Sequence, residues 1–151
     1  MSRKAAREIS MKLIYQFIIQ KEDHEEQFRQ AMEEYMLNPE DAEFVRSRVL
    51  GTRQAASEID RQIETYAKGW KLSRMPRLDL AILRLAIFEI EYARDVPTGV
   101  AINEAVELAK KFSTEESGTF INGLLGRIAG LNPPAGEESP DHIPGPEGAG
   151  N

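Results

Sequence analysis

Four cations and a ring open the chain: Arg3, Lys4, Arg7, Lys12 and Tyr15. The only acid among them is Glu8. On a helix, Lys4, Glu8, Lys12 and Tyr15 recur at three- and four-residue spacing on one face, with Arg7 and Met11 beside them. The basic side chains and the tyrosine are therefore expected to share a solvent-facing surface. The chemistry available there is electrostatic contact with an anion, with an aromatic surface alongside. A solvated helix face is the plainer alternative. Cations at a helix N-terminus oppose the macrodipole, which weighs toward a use for them other than helix stability.

That patch stands on an acidic chain. The net charge is −6 over 151 residues, and four of those negative charges are Glu137, Glu138, Asp141 and Glu147, in a stretch that has no Lys or Arg. Immediately after the basic patch the sign reverses, from Glu22 and Asp23 through Glu43. A short basic segment on an acidic body is a more specific signal than a globally basic protein.

Catalytic groupings are hard to assemble. The two histidines, His24 and His142, have no evident partner in the sequence. There is no cysteine, so disulfides and thiolate chemistry are excluded. No phosphate-binding glycine loop is present. Gly123-Leu124-Leu125-Gly126 matches a G-x-x-G motif in letters only, because it falls within a helical pattern. Pairs such as Glu25–Glu26 and Glu115–Glu116 read as solvated faces. A non-enzymatic protein without metal or cofactor is expected, and the cytoplasm is its expected compartment, since the first residues lead into an amphipathic pattern and not an apolar signal core.

The elements that must position these groups are all helical. Arg77 to Tyr92, R-L-D-L-A-I-L-R-L-A-I-F-E-I-E-Y, is apolar on nearly every side, so other helices must wrap it. It is broken by Asp79, Arg84 and Glu89 and is too short for a membrane span. Helices are predicted at 3–20, 23–36, about 39–67, 77–93, 98–112 and 114–129. Asn38 caps the third, with Pro39 in its first turn. Gly51 inside that helix marks close packing. Ser113 and Glu116 form a capping box for the last. Trp70, in the connector Ala67–Pro76, is expected to plug the space between two halves, with base stacking as the lesser alternative. The fold class is all-α: two packed sub-bundles, about 3–67 and 76–130, of six to seven helices in a domain spanning 1–131. Residues 132–151 are rich in Pro and Gly, with Ile143 the one branched aliphatic residue, and are expected to be disordered.

Three stretches carry a family resemblance: I-L-R-L-A-I-F-E-I (82–90), V-P-T-G-V-A-I-N-E-A-V-E-L-A-K-K-F (96–112) and S-G-T-F-I-N-G-L-L (117–125). Residues 6–15, A-R-E-x-x-x-x-x-L-I-Y, match more loosely. Together they resemble the NusB family of transcription antitermination factors over roughly residues 3–130. The resemblance implies a two-sub-bundle helical fold and no enzymatic activity. It implies pairing with NusE, a small-subunit ribosomal protein. It also implies binding of boxA RNA from ribosomal RNA operons within the RNA polymerase antitermination complex.

Carried over by position, the resemblance places RNA contacts at Arg3, Lys4, Arg7, Tyr15, Tyr66 and Phe120, and a NusE contact at Asp79. Single-stranded RNA is held by cations on its backbone and rings on its bases, in agreement with that set. The family's denser arginine run is interrupted here by Ala5 and Ala6 and followed by Glu8. The rival reading is a helical module that binds protein and little or no RNA. Helix faces alone leave monomer and homodimer open.

Overall fold

The computed structural model describes residues 1–130. The stretch expected to be disordered, 132–151, lies outside the described residues, as does residue 131. Seven α-helices follow one another: α1 (Arg3–Ile19), α2 (His24–Glu34), α3 (Pro39–Gln54), α4 (Ala56–Tyr66), α5 (Arg77–Tyr92), α6 (Thr98–Phe112) and α7 (Glu115–Ile128). A short 3-10 turn, Leu72–Arg74, lies in the connector between α4 and α5. No strand occurs among the described residues.

The apolar helix is central, as its composition requires. Leu80, Ala81, Ile82, Leu83, Leu85, Ala86 and Ile87 are all buried. Around them α5 touches α1, α3, α4, α6 and α7. Burial of apolar surface on every side of one helix supplies the main driving force for the fold. α6 and α7 form a close pair beyond it, and Ala105, Leu108 and Ala109 of α6 and Ile121, Leu124 and Leu125 of α7 are buried in the same core.

Two local expectations change. The third helix is not continuous to residue 67. At Ala55 the backbone turns to φ −94° and ψ 8°, ending α3 and starting α4. α3 packs on α1 and α5, whereas α4 packs on α5 and α7, so the break lets one run of chain serve both sets of neighbours. The last helix is capped by Thr114, whose hydroxyl accepts from the Ser117 amide at 2.9 Å, not by Ser113. The Ser113 hydroxyl instead donates to the Ser117 hydroxyl at 3.0 Å. Asn38 does cap α3, its side chain accepting from the Asp41 amide at 2.8 Å. Gly51 marks close packing as well: a Cβ placed there would stand 2.4 Å from the Phe88 ring.

Candidate nucleic-acid interface

Ser2 starts α1 by accepting from the Ala5 amide at 3.0 Å, which fixes where the basic turn begins. The cations of that helix are then drawn, one by one, onto carboxylates. Arg3 lies over the Phe44 ring at 4.3 Å and 3.8 Å from Glu40. The Lys4 ammonium reaches across to α6, donating to Glu107 at 2.5 Å and Glu104 at 3.2 Å. The Glu107 hydrogen bond, then the Glu104 one, raise the Lys4 pKa, and the bond from Lys4 lowers that of Glu107. Lys12 and Lys111 both contact Glu8. Partial burial raises the Glu8 pKa, but the bonds from Lys111 and Lys12 outweigh it, and the carboxyl ends below its ordinary value.

Arg7 departs from the surface expected of it. It is 8% exposed and faces inward, its Nε donating to both Glu89 oxygens at 2.9 and 3.1 Å. Arg48 of α3 donates to the same carboxylate at 2.9 Å. Glu89, on α5 and 1% exposed, thus holds two guanidinium groups. The Phe44 ring packs against both Arg3 and Arg48. A helical wheel sets Arg7 beside the exposed stripe, but a carboxylate on another helix draws it inward. Met11, its neighbour on that wheel, is likewise buried.

Tyr15 and Tyr66 are exposed. The Tyr66 carbonyl accepts from Arg127 at 3.4 Å, which ties the end of α4 to the end of α7. Phe120 is half-buried against the core and meets the Trp70 indole at 5.4 Å between ring centroids, tilted by 47°. Trp70 is therefore not a plug between halves: 41% of it is exposed. Its ring and that of Phe120 border a cavity of about 640 Å³ shared with Arg74, Met75, Asp79 and Glu116.

Asp79 is 4% exposed in the first turn of α5. Its Oδ2 accepts from the Ser117 hydroxyl at 2.8 Å, while Oδ1 is buried without a hydrogen-bond partner. A buried carboxylate oxygen left without a donor is costly, and it marks a place where a donor from outside would be welcome.

Two groupings result. Arg3, Lys4 and Arg7 are knitted into α3, α5 and α6. Phe120 and Asp79 meet at the connector, joined there by Trp70, which the positional carry-over did not include. His24 has partners the sequence did not reveal. Its ring stacks on Phe17 at 3.9 Å and sits 2.7 Å from an Arg53 nitrogen, a structural arrangement at the turn into α2. No cluster of three or more metal-ligating side chains occurs among the described residues. No helix there is long and apolar enough to cross a membrane.

The NusB family pattern matches residues 4–130. The chain belongs to the NusB family. It is 56% identical over 128 residues to the transcription antitermination protein NusB of Acetivibrio thermocellus, an alignment covering 85% of this chain and 88% of that one. The corresponding protein of Ruminiclostridium cellulolyticum is 46% identical over 129 residues, with 85% and 89% covered. Among solved structures, T. maritima NusB superposes with a TM-score of 0.77 at 35% identity, covering 86% of this chain and 92% of that one. A NusB chain in a crystal structure of antitermination factors NusB and NusE with dsRNA gives 0.77 at 27%, covering 86% and 97%. The NusB fold therefore spans nearly all of the described chain.

Proposed function

We propose that this protein is a transcription antitermination factor that pairs with NusE and binds boxA RNA of ribosomal RNA operons, acting with RNA polymerase in the cytoplasm and without catalysis. The single observation that carries this is the family match over residues 4–130, extended by a relative solved together with NusE and RNA. Exposed Tyr15 and Tyr66, half-buried Phe120, and the cations Arg3 and Lys4 are the side chains assigned to RNA. Arg7 is assigned the task of seating α1, because its guanidinium is buried on Glu89. Asp79 is assigned to NusE, whose donor would satisfy the unpartnered Oδ1.

A second reading is favoured by one observation: the α1 cations are all paired with acids of the same chain, as a protein-binding module with little RNA affinity would have them. Fluorescence anisotropy of a labelled boxA-like RNA separates the two. Under the first reading, NusE tightens binding and raised salt weakens it. Absence of RNA binding with and without NusE, while the protein–protein complex still forms, supports the second.

A further inference from the structure

The cations most available to a ligand are not where the charge pattern of the sequence concentrates attention. On α1 each Lys or Arg already has a carboxylate. A paired cation that turns to a phosphate exchanges one anion for another and gains only the difference. An unpaired cation gains the full contact and releases counterions from the nucleic acid.

The connector has such cations. Lys68, Lys71 and Arg74 are exposed, and among the described residues none of them has a carboxylate within ion-pair distance. Arg77, three residues further on, is also exposed and donates to the Met75 carbonyl at 3.4 Å. Four cations thus recur every third residue from 68 to 77, with no acid between them. Lys71 and Arg77 line an open groove of about 820 Å³ together with Lys21, Glu64 and the exposed Ile19. Arg74 borders the neighbouring cavity beside Trp70 and Phe120. Trp70 adds an indole two-fifths open to solvent, within the same ten residues as the cations. Cations tracking a backbone beside rings that can stack on unpaired bases are the combination single-stranded nucleic acid requires.

We propose that the connector Lys68–Arg77 is the principal RNA-contacting segment of this chain: Lys68, Lys71 and Arg74 hold phosphates of a single strand, and Trp70 stacks on one of its bases. The α1 cations are secondary. This inference rests on the RNA-binding reading above and refines where that binding occurs.

Trp70 is the sole tryptophan, so its emission reports on the connector alone. The test titrates the full chain with a boxA-like single-stranded RNA, following anisotropy and tryptophan emission together at several salt concentrations. Expected is a change in emission that tracks the anisotropy. Lys68→Gln/Lys71→Gln/Arg74→Gln should bind at least about tenfold more weakly, with the slope of log affinity against log salt reduced by about 2, at about 0.7 for each phosphate that is no longer neutralised. Arg3→Gln/Lys4→Gln should reduce that slope by less than about 0.7. All five positions are exposed, so helicity by circular dichroism should be unchanged. RNA binding that leaves tryptophan emission and the triple variant's salt slope unchanged overturns the assignment of the connector but not the RNA-binding reading. A triple variant that loses the NusE complex and keeps RNA affinity overturns it in favour of a protein-docking surface. A wild-type chain that binds no RNA with NusE present overturns both.

Discussion

Arg7 illustrates what a side chain's sequence neighbours leave out. Its type and position match a basic, RNA-facing turn, but its partner Glu89 lies 82 residues away. A helical wheel assigns a face and is silent on which distant carboxylate will meet it. Glu89 in turn interrupts an apolar helix because two arginines, Arg7 and Arg48, need one buried anion between them. Removing one member of a buried ionic cluster leaves the others uncompensated, which costs about 3–5 kcal/mol. Glu89→Gln keeps the shape and deletes the charge, so urea unfolding should show a loss of that size. A loss below about 1 kcal/mol would mean that water reaches the two guanidinium groups and the cluster is not sealed. Gly51 belongs to the same scale. Its place inside α3 looks unfavourable by helix propensity, yet the Phe88 ring occupies the space a methyl group would need.

At the scale of elements, the helices are legible wherever apolar period and end signals agree. α5 spans Arg77–Tyr92 and α6 spans Thr98–Phe112, within a residue of expectation, since prolines at 76 and 97 punctuate the chain and apolar side chains recur between. The break at Ala55 is not legible. Gln54-Ala55-Ala56 are helix formers, and the three/four rhythm runs through them without a gap. The turn is imposed by packing, α3 on α1 and α4 on α7. The cap of α7 falls one residue beyond the expected Ser113 because Ser113 and Thr114 are both competent caps, and only the backbone path chooses between them.

The ion pairs that bridge α1 and α6 carry a pH signature. Hydrogen bonds from Lys4 lower the Glu107 pKa, and those from Lys111 and Lys12 outweigh burial at Glu8. A carboxyl depressed in the folded state adds stability above its unfolded value, here 4.5, and that stability disappears as pH falls through the lower folded value. The melting temperature should accordingly drop between about pH 5 and about pH 3. Lys4→Met/Lys111→Met, which lacks the Lys4–Glu107 and Lys111–Glu8 pairs at every pH and leaves Glu8 only Lys12, should drop by less over the same range. An equal drop in the two proteins would assign the acid sensitivity to other carboxylates.

At the scale of the whole molecule, an acidic body and the basic surface proposed to face RNA are in competition. The carboxylates of α3 and α6 neutralise α1 before any RNA arrives, and the connector escapes because no acid lies within ion-pair distance of Lys68, Lys71 or Arg74 among the described residues. Weak RNA binding by the protein alone is the expected outcome of such an arrangement, with room for a partner to raise it, since a second protein adds contacts without having to undo those pairs. The competition can be relieved directly. Glu104→Gln/Glu107→Gln frees Lys4, removes two negative charges from the face of α6 nearest it, and disturbs only exposed or half-buried positions. Affinity for a boxA-like RNA should then rise about two- to fivefold at low salt, the range expected for releasing exposed ion pairs, and the gain should fade as salt is added. Combining the change with Lys4→Gln should abolish the part of the gain that depends on Lys4. If the double variant binds RNA no more tightly than wild type, α1 lies outside the path of the RNA and its ion pairs serve the fold alone.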